Sequence, residues 1–96
     1  MGATDFWTVA KGKDAKDAFD EATRRARHEN GHGGYTGTIA EKRSFRVLDV
    51  PSGKDPKDYA GEIADADSHG YHDKWGPALC VELGEGKYLF FGLASS

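Results

Sequence analysis

The 96-residue chain is predicted to form one α+β domain over residues 1–96, with a mainly antiparallel sheet, two helices and the element order β-α-β-β-α-β-β. Three observations predict this class. Alanine and phenylalanine recur at helical spacing over residues 15–26. An Asp-Pro pair at residues 55–56 is a typical helix start. Two apolar runs near the end of the chain flank a Gly-Glu-Gly turn, which is typical of a hairpin.

The first strand and the first helix follow from residue type and spacing. Residues 4–10 are rich in aromatic and β-branched side chains, which favours a strand. Asp14 is a suitable N-cap, and apolar positions recur at i, i+3, i+4, i+7 and i+11 from Ala15, which predicts a helix of about sixteen residues. Asn30 and Gly31 form a typical stop. Because the apolar stripe is mostly alanine, this helix can lie close to a sheet or to a second copy of itself.

The middle of the chain predicts two more strands and a second helix. Residues 35–50 are expected to form two strands joined around the charged segment 41–44, or one long bent strand. The second helix is expected from Pro56 to about residue 67, and its Gly61 costs roughly 1 kcal/mol relative to alanine.

The end of the chain predicts the closing hairpin. Strands are expected over residues 78–83 and 87–93. The last strand is apolar on both faces, so it is predicted to be central in the sheet or to form half of a subunit interface. A domain of this size has one modest core, which also favours a homo-oligomer with a site between subunits.

Composition excludes several classes of function. The net charge is −3 and the pI about 5.7, which disfavours a protein that coats duplex nucleic acid. No run approaches the ~20 apolar residues of a membrane span, and no secretory pattern is present, so a cytoplasmic location is expected. The one cysteine, Cys80, lies in an apolar segment and is expected to be a small buried hydrophobe.

The segment 28–39, His-Glu-Asn-Gly-His-Gly-Gly-Tyr-Thr-Gly-Thr-Ile, is the main candidate site. Four glycines allow consecutive N–H groups to form a nest for an anion. Tyr35 offers a ring for stacking a base, while Thr36 and Thr38 offer hydroxyls. Basic residues flank the segment on both sides, so a small anionic ligand, most simply a nucleotide, is expected without any cofactor. The alternative is a structural turn from helix to strand, with Gly37 at a bulge.

A loop at residues 71–77 adds two further candidates, a histidine and a tryptophan expected to be partly exposed. The predicted ligand-binding residues are Arg24, Arg27, His32, Gly33, Gly34, Tyr35, Thr36, Thr38, Lys42, Arg43, His72 and Trp75.

Two other functions can be read from the sequence. His28, Glu29 and His32 match the H-E-x-x-H spacing of a zinc hydrolase. Three features oppose a zinc site: a glycine at the expected helix end, a cationic preceding turn and the absence of a histidine six residues after His32. A third ligand would have to be His69, His72 or Asp73.

The other alternative is a protein-binding inhibitor that uses the alanine-rich helix and the last strand. No nucleophile has a neighbouring base in the sequence, so the chain is predicted to be non-catalytic.

Two distinctive strings carry a resemblance. Residues 31–42, Gly-His-Gly-Gly-Tyr-Thr-Gly-Thr-Ile-Ala-Glu-Lys, resemble a segment of small uncharacterised proteins from bacteriophages and actinobacteria. Residues 74–78 and 89–96 are similar to the end of the same proteins, and together these blocks cover about a quarter of the chain. Some compact phage proteins are sponges that sequester cyclic nucleotide signals of bacterial immunity. By size and context, the resemblance therefore implies an anti-defence protein of the host cytoplasm; it assigns no functional residue.

Overall fold

Four strands form one mixed sheet in the order β1-β4-β3-β2. The structure, a computed structural model, describes residues 3–30, 37–66, 71, 73 and 75–95. β4 pairs antiparallel with β1 on one side and with β3 on the other, while β2 runs parallel to β3. The strands are β1 (Ala3–Lys11), β2 (Phe45–Val47), β3 (Ala78–Gly84) and β4 (Lys87–Ser95).

Two helices cover opposite faces of this sheet. α1 (Ala15–Asn30) contacts β1 and β4, and α2 (Pro56–Ala66) contacts β3 and β4. Asp14 caps α1, because its carboxylate accepts a hydrogen bond from the Asp17 backbone N–H at 2.8 Å. The Asp17 carboxylate in turn accepts from the Lys13 backbone N–H at 3.0 Å. The start and length of α1 expected from the sequence are confirmed.

The core has one half on each face of the sheet. On the α1 side, Phe90 is fully buried and meets Phe19 at a ring-centroid distance of 5.5 Å. The small side chains of Ala18 and Ala22 are buried there, so α1 lies close to the sheet. On the α2 side, the next residue of β4, Phe91, is fully buried and stacks on the Trp7 ring at a centroid distance of 5.1 Å. Successive residues of a strand point to opposite faces, which is why two adjacent phenylalanines serve two separate clusters.

The predicted α+β class, with two helices and a mainly antiparallel sheet, is confirmed. The last strand is central in the sheet, as one of the two interpretations expected. In the place of the first strand expected after α1, the described chain contains a short 3-10 helix, Ile39–Glu41. Gly37 has a φ of +70° and donates its N–H to the Ser95 carbonyl at 2.7 Å. Thr38 then caps the turn by accepting from the Ala40 N–H at 3.2 Å, so local caps outweigh the alternating pattern.

Within the described residues, no helix is both long enough and apolar enough to cross a membrane.

Gly12 provides a test of how closely the β1–α1 turn packs on α1, and Gly61 in α2 serves as the control. Gly12→Ala is expected to lower the free energy of unfolding by roughly 2 kcal/mol or more, because an added Cβ would lie 2.4 Å from the Ala18 backbone nitrogen. Gly61→Ala in α2 meets nothing within 4 Å and is expected to raise it by about 0.5–1 kcal/mol. Urea unfolding followed by circular dichroism measures both. Equal effects of the two substitutions would contradict this packing.

The buried thiol of Cys80 predicts a pH dependence of stability. Burial, with a smaller contribution from Glu82, raises the pKa of Cys80 from 9.0 to about 12. The unfolded thiol therefore ionises first, so stability that is complete below pH 9 declines as the pH rises towards 12, at up to about 1.4 kcal/mol per pH unit. Cys80→Ala is expected to show a flatter decline than the parent in urea unfolding at pH 8–10.5. Parallel curves for the two proteins would show that the thiol titrates normally.

Candidate functional site

A groove of about 570 Å³ opens beside the C-terminal end of α1. It lies where the last turns of α1, the segment that follows the 3-10 helix and the turn before β3 come together. We call it the basic groove. Its described lining residues are Arg27, Ala40, Glu41, Lys42, Arg43, Ser44, Trp75, Gly76 and Pro77. Four of the residues that the sequence predicts as ligand contacts, Arg27, Lys42, Arg43 and Trp75, are therefore brought together by the fold.

Two exposed arginines supply the accessible positive charge of the basic groove. Arg27 lies in the last turn of α1, and Arg43 follows Lys42, the C-cap of the 3-10 helix. Both are exposed. Among the described residues, neither guanidinium forms an ion pair. The arginines come from segments sixteen residues apart in the chain, and only the packing of the 3-10 helix against α1 makes them neighbours of one cavity.

Lys42 has a different position from the two arginines. Its side chain is only 3% exposed, and its ammonium donates to the Gly76 carbonyl at 2.9 Å and to the Asp73 carbonyl at 3.3 Å. The Nζ atom also lies 6.0 Å from the centre of the Phe6 ring. Burial lowers the pKa of Lys42, and the nearby Asp73 charge acts in the opposite direction. Lys42 thus ties the 73–76 turn to the core, and its ammonium is bonded to that turn although the residue also lines the groove.

The 73–76 turn presents Trp75 at the rim of the basic groove. The Asp73 carboxylate accepts from the Trp75 N–H at 3.0 Å, and the Asp73 carbonyl accepts from the Gly76 N–H at 3.1 Å. A Cβ on Gly76 would come within 2.8 Å of the Asp73 carboxylate, so glycine suits this position. Trp75 is 68% exposed, which confirms the expectation of a partly exposed tryptophan.

Two other predicted contacts lie in the described chain away from the described lining of the groove. Arg24 forms an ion pair with Glu21, at 2.7 Å on the same helix. That carboxylate raises the pKa of Arg24 through a hydrogen bond and through its charge. The Thr38 hydroxyl serves as the N-cap of the 3-10 helix. The remaining predicted contacts lie outside the described residues: His32, Gly33, Gly34, Tyr35, Thr36 and His72.

Ser44 lines the groove and was not among the predicted contacts. The sequence contained a signal for it, namely its position next to Arg43, although a serine beside an arginine is too common to be specific. Ala40 and Pro77 also line the groove, and nothing in their residue types indicates a ligand.

The H-E-x-x-H spacing is only partly within the described chain. His28 and Glu29 are exposed on the last turns of α1, and His32 lies outside the described residues. Among residues 3–30, 37–66, 71, 73 and 75–95, no three His, Cys, Asp or Glu side chains are close enough to hold a metal ion. Zinc binding by the H-E-x-x-H residues therefore stays a prediction from the sequence.

Comparison of the chain with family models, curated proteins and solved structures finds no match. The geometry of the groove is therefore the observation from which function can be argued.

The role of Lys42 can be tested by stability. Lys42→Met retains most of the buried stem but removes the donor to two carbonyls, and it is expected to lower the free energy of unfolding by about 1–2 kcal/mol. Arg43→Ala, at an exposed neighbouring position, is the matched control and is expected to change stability by less than about 0.5 kcal/mol. Chemical unfolding measures both. If the two variants lose the same stability, Lys42 does not hold the turn.

Proposed function

We propose that this chain is a non-catalytic binding protein for a small anionic ligand, most simply a nucleotide, held in the basic groove. The observation that carries the proposal is the convergence of Arg27, Arg43 and the exposed Trp75 on one cavity of about 570 Å³. Small-molecule sites typically measure about 300–1,000 Å³, so the cavity has a suitable size.

The chemistry of the lining residues fits a phosphate joined to a flat ring. Arginine presents a planar fork of N–H donors that matches two phosphate oxygens. Trp75 supplies an aromatic face for a base, and the Ser44 hydroxyl can donate to or accept from ribose or phosphate. The described lining holds three cations and one carboxylate, Glu41, so its balance is positive although the whole chain is acidic.

The glycine-rich cradle remains part of this proposal. Residues 31–36 lie outside the described chain, yet they connect α1, which carries Arg27, to the segment that carries Arg43. Both neighbours of the glycine stretch thus contribute to the groove. We expect Tyr35 and the backbone N–H groups of Gly33 and Gly34 to add contacts to the same ligand.

A narrower form of the proposal concerns biological role. The resemblance to small phage and actinobacterial proteins supports a protein that sequesters a cyclic nucleotide of bacterial immunity in the host cytoplasm. A sponge of this kind needs affinity and no turnover, which is consistent with a groove built from arginine and aromatic side chains.

Binding can be tested with a panel of cyclic and linear nucleotides in isothermal titration calorimetry. Arg27→Ala and Arg43→Ala are each expected to weaken binding of the best ligand at least tenfold, because a charge-assisted hydrogen bond is worth about 1.5–3 kcal/mol. Trp75→Ala is expected to weaken it by a similar factor through lost stacking. Arg46→Ala is the matched control, since Arg46 is exposed but absent from the described lining of the groove.

Two results would contradict nucleotide binding in the basic groove. One is no binding of any nucleotide up to high micromolar concentration. The other is equal loss of affinity in Arg46→Ala and Arg43→Ala, which would indicate general charge attraction.

The absence of catalysis is tested by chromatography of the ligand after prolonged incubation with the protein. The ligand is expected to be recovered unchanged, and its conversion would show an enzyme. Tyr35→Ala tests the cradle separately: an unchanged affinity would remove Tyr35 from the site while leaving the basic groove in place.

A further inference from the structure

The described sheet has two edges of very different length. β2 forms one edge and has only three residues, whereas β1 forms the other with nine. β1 contains no proline, and its pairing with β4 is continuous from Ala3 to Lys11. Proteins commonly protect sheet edges with short strands, prolines, bulges or charged side chains, and of these β1 has only the charges of Asp5 and Lys11. On the face of β1 that points to the α2 side, the Trp7 and Val9 side chains are each 43% exposed.

Hydrogen bonds show which peptide groups of β1 point away from the sheet. The Val9 carbonyl accepts from the Arg25 guanidinium at 3.1 Å, so it faces outward and not towards β4. The Gly12 N–H, three residues after Val9, points towards the β4 side and donates to the Gly86 carbonyl at 3.0 Å. Because peptide groups alternate along a strand, the odd-numbered residues of β1 present their N–H and C=O groups to the open edge.

The side chains of these odd-numbered residues are self-complementary. In an antiparallel pair of β1 strands with Thr8 on the two-fold axis, Trp7 lies opposite Val9 and Asp5 lies opposite Lys11. Each pair occurs twice, and all four residues lie on one face of the sheet. An aromatic residue opposite a β-branched one, and opposite charges facing each other, are favourable cross-strand pairs.

We propose that β1 is the interface of a homodimer, in which two copies join their four-stranded sheets into one sheet of eight strands in this register. Two adjacent registers are also allowed. With Trp7 on the axis, Asp5 would lie opposite Val9 and Lys11 opposite Ala3. With Val9 on the axis, Trp7 would lie opposite Lys11, and Asp5 would have no partner within β1. Charge and apolar complementarity therefore select the axis at Thr8. Arg25 is exposed, and its hydrogen bond to Val9 is exchanged for one from the second copy.

The dimer places the two α1 helices on the same side of the extended sheet, because the two-fold axis is perpendicular to it. A groove of about 540 Å³ runs between β1 and α1 beside the open edge. Its α1 wall carries Asp17, Glu21 and Arg25, charges of both signs. Lys11 and Lys87 line the strand side of the same groove, so the two carboxylates of each α1 wall lie beside three cations.

Sedimentation equilibrium across 5–300 µM provides the first test, and a dimer mass is expected at the upper end. Asp5→Lys and Lys11→Asp each turn two attractive pairs into two repulsive ones and are expected to weaken the dimer about tenfold. The double variant Asp5→Lys/Lys11→Asp restores opposite charges in this register and is expected to recover the parent affinity. Circular dichroism checks that each variant is folded.

Cysteine cross-linking tests the position of the axis. Thr8→Cys places two thiols opposite each other, and oxidation with copper phenanthroline is expected to give a covalent dimer. Thr4→Cys is the matched control and is expected to remain monomeric, since Thr4 lies opposite Gly12 in this register. Cys80 is buried and does not contribute.

Three results would overturn the proposal: a monomer mass at 300 µM, a dimer that both single charge variants leave unchanged, or equal cross-linking of Thr8→Cys and Thr4→Cys. None of these measurements involves the basic groove, so they stand apart from the nucleotide titrations.

Discussion

The structure depends on the burial of β4 on both faces. Phe90 and Phe91 are adjacent, fully buried and directed to opposite sides, so one strand supplies the centre of both halves of the core. A strand buried on both faces needs a hydrogen-bonded neighbour on each side and a covering element over each face. The order β1-β4-β3-β2 and the positions of α1 and α2 satisfy that requirement.

The same strand also positions the candidate site. The Ser95 carbonyl at the end of β4 accepts from the Gly37 N–H, which starts the segment that leads to the basic groove. Ile39 is buried in the α1 half of the core, and Lys42 binds two carbonyls of the 73–76 turn. These three contacts together hold the segment before Arg43 and the turn that carries Trp75. Arg43 and Trp75 therefore line one cavity although they are 32 residues apart in the chain.

Much of the fold could be predicted because its signals are local. The Asp14 cap, the alanine stripe of α1, the Asp-Pro start of α2 and the Gly-Glu-Gly hairpin each depend on residues within a few positions of one another. The 3-10 helix was not predicted, since the local Thr38 cap is joined by a long-range hydrogen bond from the Gly37 N–H to the Ser95 carbonyl, which the sequence pattern does not reveal. The site was predicted in part: residue type identified Arg27, Arg43 and Trp75 as candidates. Residue type also selected Arg24, and only the structure shows that this guanidinium pairs with Glu21.

Lys42 shows the limit of the sequence most clearly. A lysine beside an arginine predicts a second phosphate contact, yet this side chain is buried and donates to backbone carbonyls of a turn more than thirty residues away. The sequence by itself determined the class of fold, the helix caps and the local excess of basic residues, because these follow from neighbouring side chains. Only the tertiary structure decided which cations face the groove and which strands form the edges of the described sheet, because both depend on contacts between distant segments.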